Sequence, residues 1–444
     1  MEATTNNSST ARLLRALSNL PAAARYWIAY SGGLDSHVLL HALAALRRNA
    51  MALHAVHVDH GLQAQSKQWS QRCVETCAAL HVPCTVLAVH AAPRPGESPE
   101  DAARRARYAA LAELIQEGDC LLTAHHQDDQ AETLLLQLLR GAGPRGLAAM
   151  PQRAPFARGW HARPLLEFTR ADLHAYATQQ GLTWIDDQSN FDTGFDRNYL
   201  RHEIMPRLRA RWPAAARTLA RSASHAAQAA RLLDALADID FHTVAHTAAC
   251  DALSVTALRA LDETRQRNVL RYWLHRLSLP LPNAAHIEHI LHDVIDAARD
   301  KTPRVHWPGA EVRRYRDALY AMPELAPHDA RRIIPWDMRA PLELPGVGRL
   351  EALRTHGAGI KESLLNGAIT VRFRHGGERC QPAGRAHTHE LKKLFQERGI
   401  PPWRRARVPL IYINDQLAMV GDLWVCAPYQ ASDGEAGRVV RWEY

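Results

Sequence analysis

The hexapeptide Ser31-Gly32-Gly33-Leu34-Asp35-Ser36 stands between an apolar run, YWIAY (26–30), and an apolar helical pattern, HVLLHALAAL (37–46). Two glycines let a backbone turn sharply and approach a ligand closely. The amides of such a loop, with those of the following helix N-terminus, make an anion site. Ser31 and Ser36 add hydroxyl donors. Asp35 would repel a phosphate by itself, which suits a carboxylate that holds Mg²⁺ or caps the loop. No Walker A lysine is present, so this is a different kind of phosphate cradle. A second constellation, TAHHQDDQAET (123–133), spaces His125, Asp129 and Glu132 at i, i+4 and i+7. That spacing puts all three on one helical face. With Asp128 they could position Mg²⁺, an amine nucleophile or a nucleobase edge, although the helix dipole alone also favours acidic residues in a first turn.

Basic residues form three groups. Arg104 and Arg107 share a helical face in AARRARY (102–108), a pattern that a solvated surface also produces. Arg197, Asn198 and Arg201 lie at helical spacing in DRNYLRHEIMP (196–206), where the Asn could meet a base or cap a helix. Near the C-terminus Arg372, Arg374, Lys392, Lys393, Arg404 and Arg405 surround Phe373, Phe395 and Trp403. Basic residues interleaved with aromatics are the footprint of an RNA-binding surface, and equally of aromatics that simply form a core.

The elements that must position these residues alternate along the first part of the chain. Strand patterns at 26–30, 53–60, 84–90 and 120–126 are separated by helical patterns at 37–46, 68–80, 97–118 and 129–141. Such alternation implies right-handed crossovers and a parallel sheet with helices on both faces. Ligands of these sheets sit beyond the carboxyl ends of the strands, which gathers the segments after Tyr30, Val58 and Ala124 around one crevice. From Trp212 to about residue 302 the patterns are helical, and no strand run interrupts them. Pro/Gly punctuation marks 303–345 as a connecting segment, and 346–444 reads as a small α+β domain around a helix at 389–399.

The composition agrees with a folded, soluble protein of several domains: 444 residues, 47% hydrophobic, 23% charged. The formal charge of +8 suits an anionic partner, and arginine supplies nearly all of the positive charge. No apolar run is long enough to span a bilayer, and no signal-peptide pattern opens the chain. Seven scattered cysteines make neither a disulfide framework nor a CxxC motif. The chain reads as cytoplasmic, reduced and free of a structural metal.

The SGGLDS loop resembles that of N-type ATP pyrophosphatases, which cleave ATP between the α and β phosphates. HVDHGLQ (57–63), AARRARY, AHHQDDQAET, RPLL (163–166), DQSNFDTGFDRN (187–198) and the block from VRFRHGG to VPLIY then follow in an order similar to the tRNA(Ile)-lysidine synthetase family. That resemblance implies a Rossmann-like catalytic domain (1–211), a helical domain (212–302) and a C-terminal domain (346–444), the latter two gripping tRNA. It implies ligation of free L-lysine to the wobble cytidine of tRNA(Ile) with a CAU anticodon, with ATP and Mg²⁺. Residues 31–36 would bind ATP, and Asp35 would hold Mg²⁺. Asp35, His125, Asp129, Glu132, Arg104 and Arg107 would lie around the reaction centre. Arg197, Asn198, Arg201, Arg372, Arg374, Lys392, Lys393, Arg404 and Arg405 would meet tRNA. The oligomeric state stays open, a homodimer being one option. A tRNA thiolase on the same loop is the alternative, although it calls for a reactive cysteine that no motif here provides. A glutamine-dependent synthetase would need a glutaminase half, and an ATP-sensing RNA-binding module would bind ATP without cleaving it.

Overall fold

The computed structural model describes residues 2–47, 51–61, 66–90, 92–93, 99–246, 252–298 and 301–443. The end of the HVDHGLQ motif therefore lies outside the described residues. The chain divides into two compact units, Met1–Ala235 and Leu236–Tyr444.

The first unit runs α1 (Glu2–Ser18), β1 (Tyr26–Ala29), α2 (Leu34–Ala45), β2 (Leu53–Asp59), α3 (Ser66–Ala79), β3 (Cys84–Ala88), α4 (Pro99–Leu114), β4 (Cys120–Leu122) and α5 (Gln127–Leu139). There follow α6 (Pro144–Leu147), a hairpin of β5 (Arg153–Phe156) and β6 (Gly159–Ala162), and α7 (Arg170–Gln179). A short α8 (Asp196–Tyr199) leads through one π-helical turn (Leu200–Ile204) into α9 (Met205–Arg211). The sheet order is β3-β2-β1-β4-β6-β5, parallel except for the edge strand β5. Layers of buried side chains cover both faces. On one side Ile28, Leu39, Leu43, Leu122 and Leu173 pack together; on the other Trp27, Val56, Leu111 and Leu121 do. A sheet buried on both faces explains why its strands read as unbroken apolar runs rather than alternating ones. Because β1 pairs with both β2 and β4, the strand order reverses there, and the carboxyl ends of these strands open a crevice.

α10 (Ala215–Val244) carries the chain into the second unit. Here the fold differs from the expectation. The stretch expected as uninterrupted helix contains the strand β7 (Ala252–Ser254), between α10 and α11 (Val255–Arg259). The stretch expected as connecting segment supplies β8 (Arg304–Trp307), β9 (Ala310–Tyr315) and β10 (Ala318–Met322). These form one antiparallel sheet, β7-β10-β9-β8. Its side chains Val305, Val312 and Leu319 share a core with Trp273 and Leu274 of α12 (Glu263–Arg276) and Ile287 of α13 (Ala284–His289). Three residues make too short a run to carry a strand pattern, and β8 to β10 are short hairpins whose turn signals resemble a linker. The remainder folds as an antiparallel five-stranded sheet and an antiparallel four-stranded sheet over a common core. α14 (Leu391–Glu397) and α15 (Pro402–Arg405) complete it. No described helix is long and apolar enough to cross a membrane.

Candidate active site

The SGGLDS loop leaves β1 and turns directly into α2. Gly32 adopts φ +85°, and a Cβ there would come within 2.7 Å of Ile185 Cδ1 and 3.0 Å of Cys73 Sγ, so only glycine fits without strain. The loop is braced from within. Ser31 and Ser36 hydroxyls lie 3.0 Å apart, Ser36 Oγ donates to Gly33 O at 3.0 Å, and the Ile185 amide donates to Gly32 O at 3.0 Å. The N-terminus of α2 receives no side-chain cap from Gly33, which leaves its amides available to an anion.

Beside the loop lies a cavity of about 570 Å³. Tyr30 and Ser31 form its base, and His57, Asp59 and His60 line it from the carboxyl end of β2. Arg107 closes one wall; Arg104 stays exposed and stacks its guanidinium over Tyr108 at 5.0 Å. Asn198 lines the same cavity from the 187–198 segment. Burial holds the Arg107 guanidinium below its ordinary pKa, with Arg104 adding to the effect.

The carboxylate cluster hangs on the start of α5. His126 is the helix N-cap: its Nδ1 accepts from the Asp129 amide at 3.4 Å, and Asp129 Oδ2 accepts from the His126 amide at 3.0 Å. Its Nε2 lies 3.5 Å from both Asp35 Oδ2 and Asp129 Oδ2, joining the loop to α5. Burial works against charge on this ring, but Asp129, Asp35 and Asp128 outweigh it and raise its pKa. Asp129 is held below the usual carboxylate range; burial opposes this, and His126, His125 and Arg201 overcome it. Glu132, almost fully buried, is pushed up by burial despite the arginines facing it. Asp128 points away from the loop, accepting from the Arg170 amide at 2.8 Å and from Arg209.

Some expected residues sit elsewhere than the sequence suggested. Arg201 forks onto Glu132 and also reaches Asp129 at 2.9 Å, so it belongs to the carboxylate cluster. Arg197 donates to Thr133 Oγ1 at 2.8 Å and stands 3.7 Å from Glu132. Asn198 Nδ2 donates to Asp192 O at 2.9 Å. His125 precedes α5 instead of lying on its face, and its Nδ1 is 2.8 Å from Thr123 Oγ1. His126, not anticipated from sequence, takes the place between loop and carboxylates; its signal was the capping-box spacing of His126 and Asp129.

In the second unit Lys392, Lys393 and Arg404 are exposed. Arg372 pairs with Asp415 and lies over Tyr412 at 4.6 Å, and Arg374 stands 3.7 Å from Glu378. Arg405, expected at an RNA surface, is buried instead, donating to Ile400 O at 2.7 Å and to Tyr315 Oη at 2.8 Å. Phe373, Phe395 and Trp403 are also buried. They are core, not stacking platforms.

An Asp-bearing glycine loop at a helix N-terminus, joined through His126 to the acidic start of α5, suits an enzyme that binds a polyphosphate. Comparison with known proteins agrees. Residues 5–208 match the PP-loop domain, 253–320 the TilS substrate binding domain and 369–442 the TilS substrate C-terminal domain. The chain is 44% identical over 428 residues to a tRNA(Ile)-lysidine synthase of Coxiella burnetii, covering 96% of this chain and 95% of the relative. It is 45% identical over 420 residues to the same-named protein of Methylococcus capsulatus, covering 94% and 96% respectively. With nearly the whole chain aligned at this identity, and with the loop, crevice and C-terminal sheets in place, the chain belongs to the tRNA(Ile)-lysidine synthase family.

Proposed function

We propose that this protein ligates free lysine to C2 of the wobble cytidine of a tRNA(Ile) with a CAU anticodon, converting ATP to AMP and pyrophosphate. The product, lysidine, pairs with A, so codon reading shifts from AUG to AUA. The observation that carries this reading is the link between the SGGLDS loop and the acidic cluster of α5, made by His126, whose Nε2 lies 3.5 Å from both Asp35 Oδ2 and Asp129 Oδ2.

In this reading ATP occupies the cavity beside Ser31, with its phosphates against the loop of residues 31–36 and the uncapped amides that open α2. The Ser31 and Gly33 amides already donate to the Ser36 and Ser31 hydroxyls. The cytosine O2 attacks the α-phosphate in line, and pyrophosphate leaves. The ε-amine of lysine, deprotonated, then attacks C2; the C2–O bond breaks and AMP departs. Free lysine carries ammonium groups before reaction, and Asp129 and Glu132 supply the negative charge that attracts them. Positioning and charge stabilisation account for most of the acceleration in such phosphoryl chemistry. Arg107 stands at the cavity wall to meet developing negative charge, with Arg104 on the same helix, exposed and stacked over Tyr108. Asp35 fits a divalent cation: its Oδ1 is shielded from solvent with no hydrogen-bond partner among the described residues. Mg²⁺ held there would neutralise charge on the departing pyrophosphate.

For tRNA, the reading uses Arg197 and Asn198 beside the crevice and, in the C-terminal region, Arg372, Arg374, Lys392, Lys393 and Arg404. It assigns 212–302 and 346–444 to holding the tRNA body, in the cytoplasm, with the protomer number left to measurement. Thiolation is disfavoured by Cys73, the cysteine behind the loop. Burial pushes its thiol up to about 12, so it stays protonated and unreactive. Incubation with tRNA(Ile) transcript, ATP and lysine, followed by nucleoside mass analysis, tests the proposal. A cytidine heavier by one lysine less water supports it; unmodified or sulfur-bearing nucleoside refutes it.

A further inference from the structure

A continuous hydrogen-bonded chain runs behind the reaction centre through Arg163, His161, Thr123 and His125, and its direction is fixed at one end. A guanidinium carries donors only. Arg163 Nη2 lies 3.1 Å from His161 Nδ1, so that nitrogen must present a lone pair. A neutral imidazole with a bare Nδ1 keeps its hydrogen on Nε2, and His161 Nε2 lies 2.9 Å from Thr123 Oγ1. Thr123 accepts that hydrogen and has one of its own to give. Its remaining partner is His125 Nδ1, 2.8 Å away. His125 Nδ1 is therefore an acceptor, and the ring hydrogen of His125 sits on Nε2.

The surroundings hold this arrangement rigid. Thr123, His161 and Arg163 are 2%, 3% and 7% exposed. Arg163 is anchored by a second bond from Nη1 to Pro151 O at 2.8 Å. The His161 ring is wedged between Tyr108 and Phe156, each with its centroid 5.8 Å away. Neither ring takes up a proton near neutral pH. Burial, with Arg163, Arg107 and Arg104, holds His125 down to about 3 although Asp129 pulls the other way. The same burial and the same three arginines hold His161 down to about 3. Among the described residues, His125 Nε2 has no hydrogen-bond partner.

We propose that Arg163, His161 and Thr123 are positioning residues that lock His125 as a neutral Nε2–H donor, and that His125 hydrogen-bonds an anionic phosphate oxygen in the crevice. With Nδ1 occupied and Nε2 protonated, His125 has no lone pair free to deprotonate lysine. It is a donor and not the general base. This rests on the reading that the crevice is the reaction centre.

The test has two arms. In full-length protein labelled with ring-¹⁵N histidine, long-range proton–nitrogen correlations report each tautomer, with His125 and His161 assigned by loss of signal in His125→Gln and His161→Gln. Both rings are expected as neutral Nε2–H tautomers at pH 7, and Thr123→Val is expected to release His125 into a tautomer mixture while Thr123→Ser preserves it. An Nδ1–H tautomer or an imidazolium at either ring overturns the relay. The second arm is lysidine formation. Glutamine places an N–H near the Nε2 position, whereas glutamate there only accepts. His125→Gln should keep turnover within about tenfold of wild type, while His125→Ala and His125→Glu lose on the order of 10²–10³-fold, the usual cost of removing one preorganised donor. Equal losses for Gln and Ala overturn the donor role. Wild-type protein that leaves tRNA unmodified would refute the functional reading instead, and the tautomer arm is read independently of it.

Discussion

Arg201 meets Glu132 as a two-pronged fork, Nε to Oε1 at 2.8 Å and Nη2 to Oε2 at 2.9 Å, while the same Nη2 lies 2.9 Å from Asp129 Oδ1. One guanidinium thus sets the orientation of both acidic side chains on α5. The fork matches carboxylate geometry in a way that a lysine ammonium does not. Removing one partner of a buried pair typically costs about 3–5 kcal/mol. Arg201→Met should therefore lower unfolding stability by roughly that amount at neutral pH. The loss should shrink at acid pH, because burial already raises the Glu132 pKa and protonation then removes the stranded charge. Arg201→Lys should fold but misplace the carboxylates, lowering kcat on the order of 10²-fold with ATP affinity little changed. Wild-type kcat in Arg201→Lys would show that the fork does not position the site.

Gly32 gives a test of the loop. An alanine at φ +85° meets both backbone strain, about 1–2 kcal/mol, and the Ile185 side chain 2.7 Å from the new Cβ. Gly32→Ala should lose ATP-dependent pyrophosphate release. Adding Ile185→Ala should relieve the clash but not the strain, restoring part of the thermal stability and little of the activity. Full recovery in the double variant would mean that the loop conformation itself is unimportant.

His161 predicts a pH effect on stability. Above about 6.5 neither folded nor unfolded imidazole is charged. Between 6.5 and about 3 only the unfolded chain takes the proton, so stability falls as pH falls, and the penalty is complete at about 3. The slope is about 1.4 kcal/mol per pH unit for one such group. Urea midpoints of His161→Gln against wild type across pH 4 to 7 should show a flatter dependence by about that slope. Parallel curves would refute the neutral, buried state of His161.

The exposed cations of the C-terminal region can be told from its buried one. Reversing the charges of Lys392, Lys393 and Arg404 together should raise the KM for tRNA and leave ATP affinity alone. It should also flatten the salt dependence of tRNA binding, by about one unit of log–log slope for each phosphate that is no longer neutralised. Arg405→Ala should instead lower the melting temperature, since its guanidinium fastens Ile400 and Tyr315. A salt slope altered more by Arg405→Ala than by the triple variant would reverse this assignment.

Much of the catalytic unit was legible because its signals are local. A parallel sheet buried on both faces writes itself as apolar runs, and the loop needs Gly32 at one position whatever lies around it. The second unit was harder. β7 is three residues long, and its partner β10 lies more than sixty residues away, so only tertiary pairing makes it a strand. The site was legible in its residue types more than in their roles. Arg201 and Arg405 look like surface cations in sequence, and only burial against Glu132 or Tyr315 shows otherwise. His125 and His126 are adjacent, and helix phase alone cannot say which of them turns to Asp35. The answer came from the N-cap position of His126.

The most direct measurement is the release of AMP and pyrophosphate by the purified protein with ATP and tRNA(Ile) carrying a CAU anticodon, with and without lysine. The account predicts AMP release that depends on lysine, in equal amount to pyrophosphate and to lysine joined to tRNA, and abolished in Asp35→Ala. Formation of ADP and phosphate, or AMP release indifferent to lysine with the tRNA unmodified, would contradict it.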